Sequence, residues 1–302
     1  MEGFKILITG GSGFIGKNLA RDLGNDNDVT VLDIHCDERL PVDTIKFVKD
    51  DVRNKDWFTE IGNVDYIFHL AALVGVDNVA VNPQKTADTE IEGIKRVVEF
   101  ARNNNAKVIY SSTSSVYDII DSPTMYNSSK MFAEQYLVNS GVQYSIARLF
   151  NVYGKHQESK MVVARFLKRA LENQPLFVYG SGNQTRDFTF IEDVVEALKF
   201  LAESKACDRK TLDVCRGAET PIKELAKYII EATGSLSQIK LCDAPSPRKP
   251  YETMQRKGNP EPLKQIGFEC KISLGEGLLK SLRTHKTTIL ASMKEKNRGS
   301  FL

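Results

Sequence analysis

Short apolar runs alternate with amphipathic stretches through the first half of the chain. The runs "FKILIT" (4–9), "DVTVLD" (28–33), "IKFVKD" (45–50) and "VDYIFHLAA" (64–72) read as strands, and the stretch from about Phe14 to Leu23 reads as a helix. Pro83 to Asn103 continues as a long helix whose proline suits a first turn; strand "KVIYSS" (107–112), helix 124–139 and strand "QYSIARL" (143–149) follow. Strand then helix, repeated, is the pattern of parallel strands buried between two helix layers. The expected fold class is α/β, with a doubly wound parallel sheet.

After Asn151 the texture changes. Gly, Pro and Asn punctuate "VYGKHQ", "ENQPLFVYGSGNQTRDF" and "CDAPSPRKPYETMQRKGNPEP", and helical runs stand at about 160–172, 191–203, 221–232 and 276–290. A second, smaller α/β part is expected there. "TLDVC" (211–215) is apolar enough to return to the main sheet, so the boundary is read as discontinuous: 1–150 plus about 188–216 form one domain, and about 151–187 plus 217–302 the other. Neither an internal repeat nor a low-complexity tract is found.

At 302 residues and 41% hydrophobic, the chain can bury a sizeable core. Its 41 basic and 39 acidic residues leave a formal charge of +2, too small a field to mark nucleic acid or an anionic membrane as the main partner. Five cysteines show neither a CxxC pair nor metal-ligand spacing, the four histidines form no cluster, and no metal is assigned. Sparse, odd-numbered thiols and the lack of a charged-then-apolar leader or of an apolar run near ~18 residues point to a cytoplasmic protein.

The stretch "ITGGSGFIGKNL" (8–19) sets a glycine cluster between the first strand and the first helix. Gly10, Gly13 and Gly16 form GxxGxxG, while Gly11, Gly13 and Gly16 also satisfy GxGxxG. Glycines there allow a tight turn, a close approach of backbone to a pyrophosphate, and close helix-to-sheet packing. Asp33 ends the next strand about 20 residues on, where a carboxylate accepts from ribose hydroxyls and repels a 2′-phosphate. That favours NAD over NADP in a Rossmann-type domain. Asp51 and Val52, after the third strand, are placed over the adenine.

"SSTSSVY" (111–117) ends the strand before the helix that begins with "YNSSK" (126–130). Tyr126 and Lys130 are four apart, so they share one helix face, and a strand-end hydroxyl can converge with them at the C-terminal edge of the sheet. Together with "TGGSGFIG" (9–16), "HLAA" (69–72), "RLFNVYG" (148–154), "QTRDFTFIEDVVEAL" (184–198) and "APSPR" (244–248), these stretches resemble the extended short-chain dehydrogenase/reductase family, specifically its nucleotide-sugar-modifying members, over about residues 4–280. The resemblance implies Tyr126 as catalytic acid/base, Lys130 as its partner and Thr113 as the hydroxyl on the reacting oxygen. It implies Gly10, Gly13, Phe14, Ile15, Gly16, Leu70, Ala71 and Ala72 around NAD, joined by Asp33, Asp51, Val52, Tyr126 and Lys130. It sets Asn151, Arg186 and Arg248, with Thr113, against a nucleotide-diphosphate sugar. A phenol with a pKa of ~10 serves as a base near neutrality only if its anion is stabilised, and a neighbouring ammonium does that.

Within that family, sugar 4,6-dehydratases usually carry an Asp-Glu pair directly after the catalytic Thr, and decarboxylating relatives an acidic residue. Here Ser114 and Ser115 stand there. The expectation is therefore an epimerase, acting at C4 through a transient 4-keto sugar with return of the hydride. The alternative is a dehydrogenase or reductase with net hydride transfer, and a third reading is a non-catalytic NAD-binding sensor. Glu90 departs from the usual Asn, Asp118 from Gly after "VY", and Glu252 from the usual Asp beside one extra residue near Arg248. The helices at 83–103 and 124–139 are those through which such relatives pair, which implies a homodimer.

Overall fold

The computed structural model describes residues 1–36, 40, 44–245 and 253–284, without the side chains of 76–78; Arg248, Glu252 and residues 285–302 lie outside the described residues. The first half runs β1 (Lys5–Thr9), α1 (Phe14–Leu23), β2 (Asp28–Asp33), β3 (Ile45–Lys49), α2 (Trp57–Ile61), β4 (Tyr66–His69), α3 (Val76–Val81), α4 (Pro83–Asn104), β5 (Lys107–Thr113), α5 (Met125–Val138) and β6 (Tyr144–Leu149). The second half runs β7 (Val152–Tyr153), α6 (Val162–Leu171), β8 (Leu176–Tyr179), β9 (Thr185–Asp187), β10 (Thr189–Phe190), α7 (Ile191–Glu203), β11 (Thr211–Val214), β12 (Glu219–Pro221), α8 (Ile222–Thr233), β13 (Ile239–Cys242) and α9 (Glu261–Gln265). A further helix covers residues 274–284.

Seven strands form one sheet in the order β11-β6-β5-β4-β1-β2-β3, and every neighbouring pair is parallel. Because side chains alternate along a strand, the two faces of β1 feed different cores. Ile6 and Ile8 pack with Leu19 and Leu23 of α1 and Val194 and Leu198 of α7. Leu7 lies on the other face with Val97 and Val98 of α4 and Ala133 and Leu137 of α5. Strands buried on both faces explain why the apolar runs are short and continuous rather than alternating. The result is a Rossmann-like doubly wound sheet.

The chain winds from β1 outward to β3, then returns to β4 on the other side of β1. That reversal opens a crevice at the C-terminal ends of β1 and β4, the place where such sheets bind ligands. β11 joins the outer edge beside β6, with Leu212 level with Ala147. The shorter pairs β8 with β13 and β9 with β12 leave no readable signal in the sequence, because the stretches that carry them are punctuated by Gly and Pro. Helices α6 and α8 pack together over the β8 and β13 pair.

Asp187, fully buried, fastens this second part to the sheet. Its carboxylate accepts backbone N–H bonds from Arg216 at 3.2 Å, Gly217 at 2.8 Å and Gly258 at 3.3 Å. Burial raises its pKa above the ordinary carboxylate value, and the three N–H donors oppose that shift.

Candidate active site

The glycine turn after β1 is shaped by contact with the end of β4. Gly10 sits in the left-handed region at φ 71, and a Cβ there would lie 2.6 Å from the Ala71 nitrogen. A Cβ on Gly16 would overlap the Gly10 carbonyl, so α1 approaches the turn as closely as backbone allows. Gly13 is the N-cap of α1; no side chain caps that end and no acidic residue occupies its first turn. The first N–H groups are thus open to an anion, beside half-buried Phe14 and Ile15. These features fit a dinucleotide pyrophosphate.

Asp33 joins this cradle through its backbone-facing bonds. Oδ2 accepts the Ser12 N–H at 3.0 Å and Oδ1 that of His35 at 3.1 Å, leaving lone pairs on both oxygens for ribose hydroxyls. Asp51 is more committed than its sequence position indicated. Arg53 clamps it, Nε to Oδ1 at 2.9 Å and Nη2 to Oδ2 at 2.7 Å, and that bond is the main reason the Asp51 carboxyl is held below its usual pKa. Val52 is buried against the position of Gly93 on α4. Leu70, Ala71 and Ala72 line the end of β4, with Ala71 N donating to Thr9 Oγ1 at 3.3 Å.

Helix α5 begins with a reciprocal cap. Asn127 N donates to Thr124 Oγ1 at 3.2 Å, and Thr124 N donates to Asn127 Oδ1 at 2.7 Å. The asparagine of "YNSSK" therefore fixes the first turn, in which half-buried Tyr126 stands. One turn on, Lys130 is 3% exposed. Its Nζ donates to Ser111 O at 2.9 Å and lies 3.1 Å from Glu90 Oε2. This docks the face carrying Tyr126 and Lys130 on the end of β5, where Thr113 stands.

Thr113 Oγ1 accepts the Ser115 N–H at 3.2 Å and lies 3.1 Å from Ser115 Oγ. The strand end thus presents two linked hydroxyls in a 3-10 turn over Ser114–Asp118. Asp118 is engaged elsewhere, its Oδ2 accepting from Thr253 Oγ1 at 3.1 Å and pairing with Arg256. Arg186 donates through Nη1 to the carbonyls of Thr185 and Thr253, each at 2.7 Å. Arg186 and Arg256 therefore meet at Thr253. Asn151 is half-buried after β6, its carbonyl accepting from Thr189 N at 3.3 Å.

Sequence reasoning missed Arg256, which sits in a basic loop with no strand or helix to mark it. Also missed was a buried polar cluster behind Lys130. Tyr110 Oη donates to Glu90 Oε1 at 2.5 Å, and Lys130 Nζ lies 4.8 Å over the Tyr110 ring. Burial, then the Glu90 carboxylate, holds the Tyr110 pKa well above the ordinary value. His69 faces the same cluster, with Nδ1 2.7 Å from Thr9 Oγ1 and Nε2 buried without a partner among the described residues. Burial, helped by the Lys130 charge, pushes its pKa down to about 3, so the ring is neutral.

Similarity to known proteins agrees with this geometry. The profile of the NAD dependent epimerase/dehydratase family matches residues 6–214. UDP-glucuronic acid decarboxylase 1 of Xenopus tropicalis is 30% identical over 312 residues, spanning 92% of this chain and 71% of the relative. Among solved structures, UDP-glucose 4-epimerase of Thermotoga maritima with UDP-glucose superposes with a TM-score of 0.87 at 26% identity, covering 94% of this chain and 99% of that one. UDP-N-acetylglucosamine 4-epimerase of Methanobrevibacter ruminantium, in complex with UDP-N-acetylmuramic acid, gives 0.86 at 25%, covering 95% and 100%. With the matched profile spanning more than half of the sequence and the dinucleotide cradle in place, the chain belongs to the NAD dependent epimerase/dehydratase family.

Proposed function

We propose that the protein is a nucleotide-sugar epimerase acting at C4. The observation that carries this reading is the hydroxyl pair of Thr113 and Ser115, 3.1 Å apart at the end of β5, the strand to which Lys130 of the Tyr126 helix is bonded through Ser111 O. Elimination needs acidic groups to move protons at the neighbouring carbons, and decarboxylating relatives usually carry an acidic residue at this place, whereas inversion through a ketone needs one acid/base and a hydroxyl that orients the oxygen. The nearest carboxylate in sequence, Asp118, is occupied by Arg256 and Thr253.

Bound NAD supplies a hydride acceptor that later returns the hydride. Around it, Tyr126 takes the proton of the C4 hydroxyl and gives it back, Thr113 donates to the same oxygen, and Lys130 holds the ribose and stabilises the phenolate. Gly10, Gly13 and Gly16 admit the pyrophosphate, with Asp33 on the ribose. Arg186, Arg256 and Asn151 suit the sugar's diphosphate, since guanidinium groups match its paired oxygens. A cavity of about 240 Å³ lined by Tyr179, Gln184, Thr253 and Met254 adjoins Arg186 and is assigned to the base. We assign residues 151–187 and 217–302 to this substrate side.

We further propose a cytoplasmic homodimer. Its five free thiols suit a reducing compartment, and Met125, Phe132 and Val138 of α5 are 45%, 41% and 41% exposed. Light scattering should give twice the chain mass, and a concentration-independent monomer would refute the pairing.

The catalytic reading is tested by incubating the NAD-loaded enzyme with UDP-, GDP- and dTDP-hexoses and UDP-hexuronates and following the sugar by NMR. Inversion at C4 without accumulating NADH is expected. Release of carbon dioxide, stoichiometric NADH, or an unchanged sugar across the panel would overturn it.

A further inference from the structure

Glu90 is 2% exposed on α4 and lies behind the Tyr126–Lys130 face. Its two oxygens are both engaged, Oε2 with the Lys130 ammonium at 3.1 Å and Oε1 with the Tyr110 hydroxyl at 2.5 Å. The groups in contact with it are Tyr110 on β5 and Lys130 on α5; Tyr126 on α5 lies within electrostatic reach of Tyr110, and neutral His69 on β4 within reach of Lys130. Glu134, the other carboxylate on that side of α5, is taken up by Arg148. Among the described residues, Glu90 is thus the acidic partner of the Lys130 ammonium.

We propose that Glu90 is a positioning residue that fixes Lys130 and, through its charge, biases the pocket toward the oxidised dinucleotide. The effect is electrostatic. An ammonium has three donors; two are spent on Ser111 O and Glu90, and the third remains for a ribose hydroxyl. The same carboxylate offsets part of the ammonium's field at the nicotinamide ring. That ring is positive when oxidised and neutral when reduced. With an amide at position 90, Lys130 would repel the oxidised ring and leave the reduced one unaffected. With Glu90 present, the repulsion is reduced inside a buried site where charges act strongly. An enzyme whose cycle starts from an alcohol rests in the oxidised form, which this arrangement favours. This role of Glu90 rests on the family's cofactor and not on which sugar carbon is inverted.

The test needs no sugar. Apo protein is titrated with NAD⁺ and, separately, with NADH, read by protein and nicotinamide fluorescence, for wild type, Glu90→Gln, Glu90→Asn and Tyr110→Phe. The two neutral variants at position 90 differ in length, so at least one is expected to fold, as checked by circular dichroism. The expected result is a shift of the NAD⁺-to-NADH affinity ratio by about tenfold toward NADH in either folded neutral variant. Tyr110→Phe, which keeps the charge and loses only a hydrogen bond, leaves the ratio in place. A folded neutral variant with the wild-type ratio, or an equal shift in Tyr110→Phe, would overturn the proposal. A protein that fails to epimerise any sugar but shows the tenfold shift would sink the C4 reading and keep this one.

Discussion

Arg148 of β6 and Glu134 of α5 form a two-pronged ion pair, Nε to Oε1 at 3.0 Å and Nη2 to Oε2 at 2.6 Å. Ser112 of β5 adds its hydroxyl to Oε1 at 2.5 Å, so one carboxylate ties the helix carrying Tyr126 and Lys130 to two neighbouring strands. The guanidinium also lies 4.8 Å over the Tyr117 ring, whose hydroxyl donates to Asp213 at 2.8 Å. The position of α5 is thereby set by polar bonds beneath the site as well as by apolar packing.

Removing the arginine leaves Glu134, only 2% exposed at its side chain, without its counter-ion. Breaking one half of a buried pair costs about 3–5 kcal/mol. Arg148→Met should therefore lose about that much stability in urea denaturation. Turnover should fall as well, because α5 loses one of its anchors. A variant within about 0.5 kcal/mol of wild type would show that the pair contributes no more than a surface contact.

Tyr126→Phe removes the proton-transfer group and leaves the ring and its packing. Turnover on the active nucleotide sugar should drop by about 10²–10⁴-fold, the usual worth of a positioned acid/base. NAD affinity should change little. Lys130→Met is expected to differ: it strips the buried Glu90 of its partner, so cofactor affinity and stability should fall together. Turnover that survives in Tyr126→Phe would remove the tyrosine from the mechanism.

How much of the fold and site is legible in the sequence follows from the kind of signal each feature leaves. The seven strands of the main sheet and α1, α4, α5 and α7 stand out because buried parallel strands form continuous apolar runs and amphipathic helices imprint their period on the chain. Helices of five or six residues such as α2, α3 and α9 are too short to do so. The glycine turn is legible because its backbone geometry demands glycine, whereas the Tyr126/Lys130 pair shares one helix face by spacing and is marked out only by its resemblance to the family's motif. The partners of Glu90 are not: Tyr110 lies 20 residues away and reads as one more apolar position of a strand. Arg53, two residues from Asp51, is in plain view, but nothing in a sequence says which way a guanidinium folds back. Ion pairs between distant elements, such as Asp118 with Arg256, exist only after the topology has brought them together.

Gly10→Ala tests the contact between the ends of β1 and β4. A Cβ at φ 71 would strain the backbone and meet Ala71 N at 2.6 Å. The strain alone costs about 1–3 kcal/mol, and relieving it would open the turn that admits the pyrophosphate. NAD affinity measured by calorimetry should fall at least about tenfold, since about 1.4 kcal/mol is one decade. Unchanged affinity would mean that the pyrophosphate lies elsewhere.

His69 offers a pH signature whose sign can be worked out. Burial holds its pKa at about 3, against an ordinary 6.5. Above pH 6.5 the ring is neutral in both folded and unfolded chains, and its contribution to stability is fully present. As pH falls from 6.5 toward 3, the unfolded chain takes up a proton that the folded one refuses, and stability is lost at up to about 1.4 kcal/mol per pH unit. Asp187, Asp193 and Asp213 act in the opposite direction, because burial raises their carboxyls and the folded chain protonates them first. The net slope of wild type therefore mixes both effects, and a difference measurement separates them. His69→Gln keeps a polar group of similar reach toward Thr9 and cannot titrate. Urea denaturation of the two proteins at pH 7, 6, 5 and 4 should show the wild type losing ground to the variant at each step below the ordinary imidazole pKa of about 6.5. Parallel curves would mean that the imidazole accepts its proton inside the fold, and that the cluster behind Lys130 opens to water.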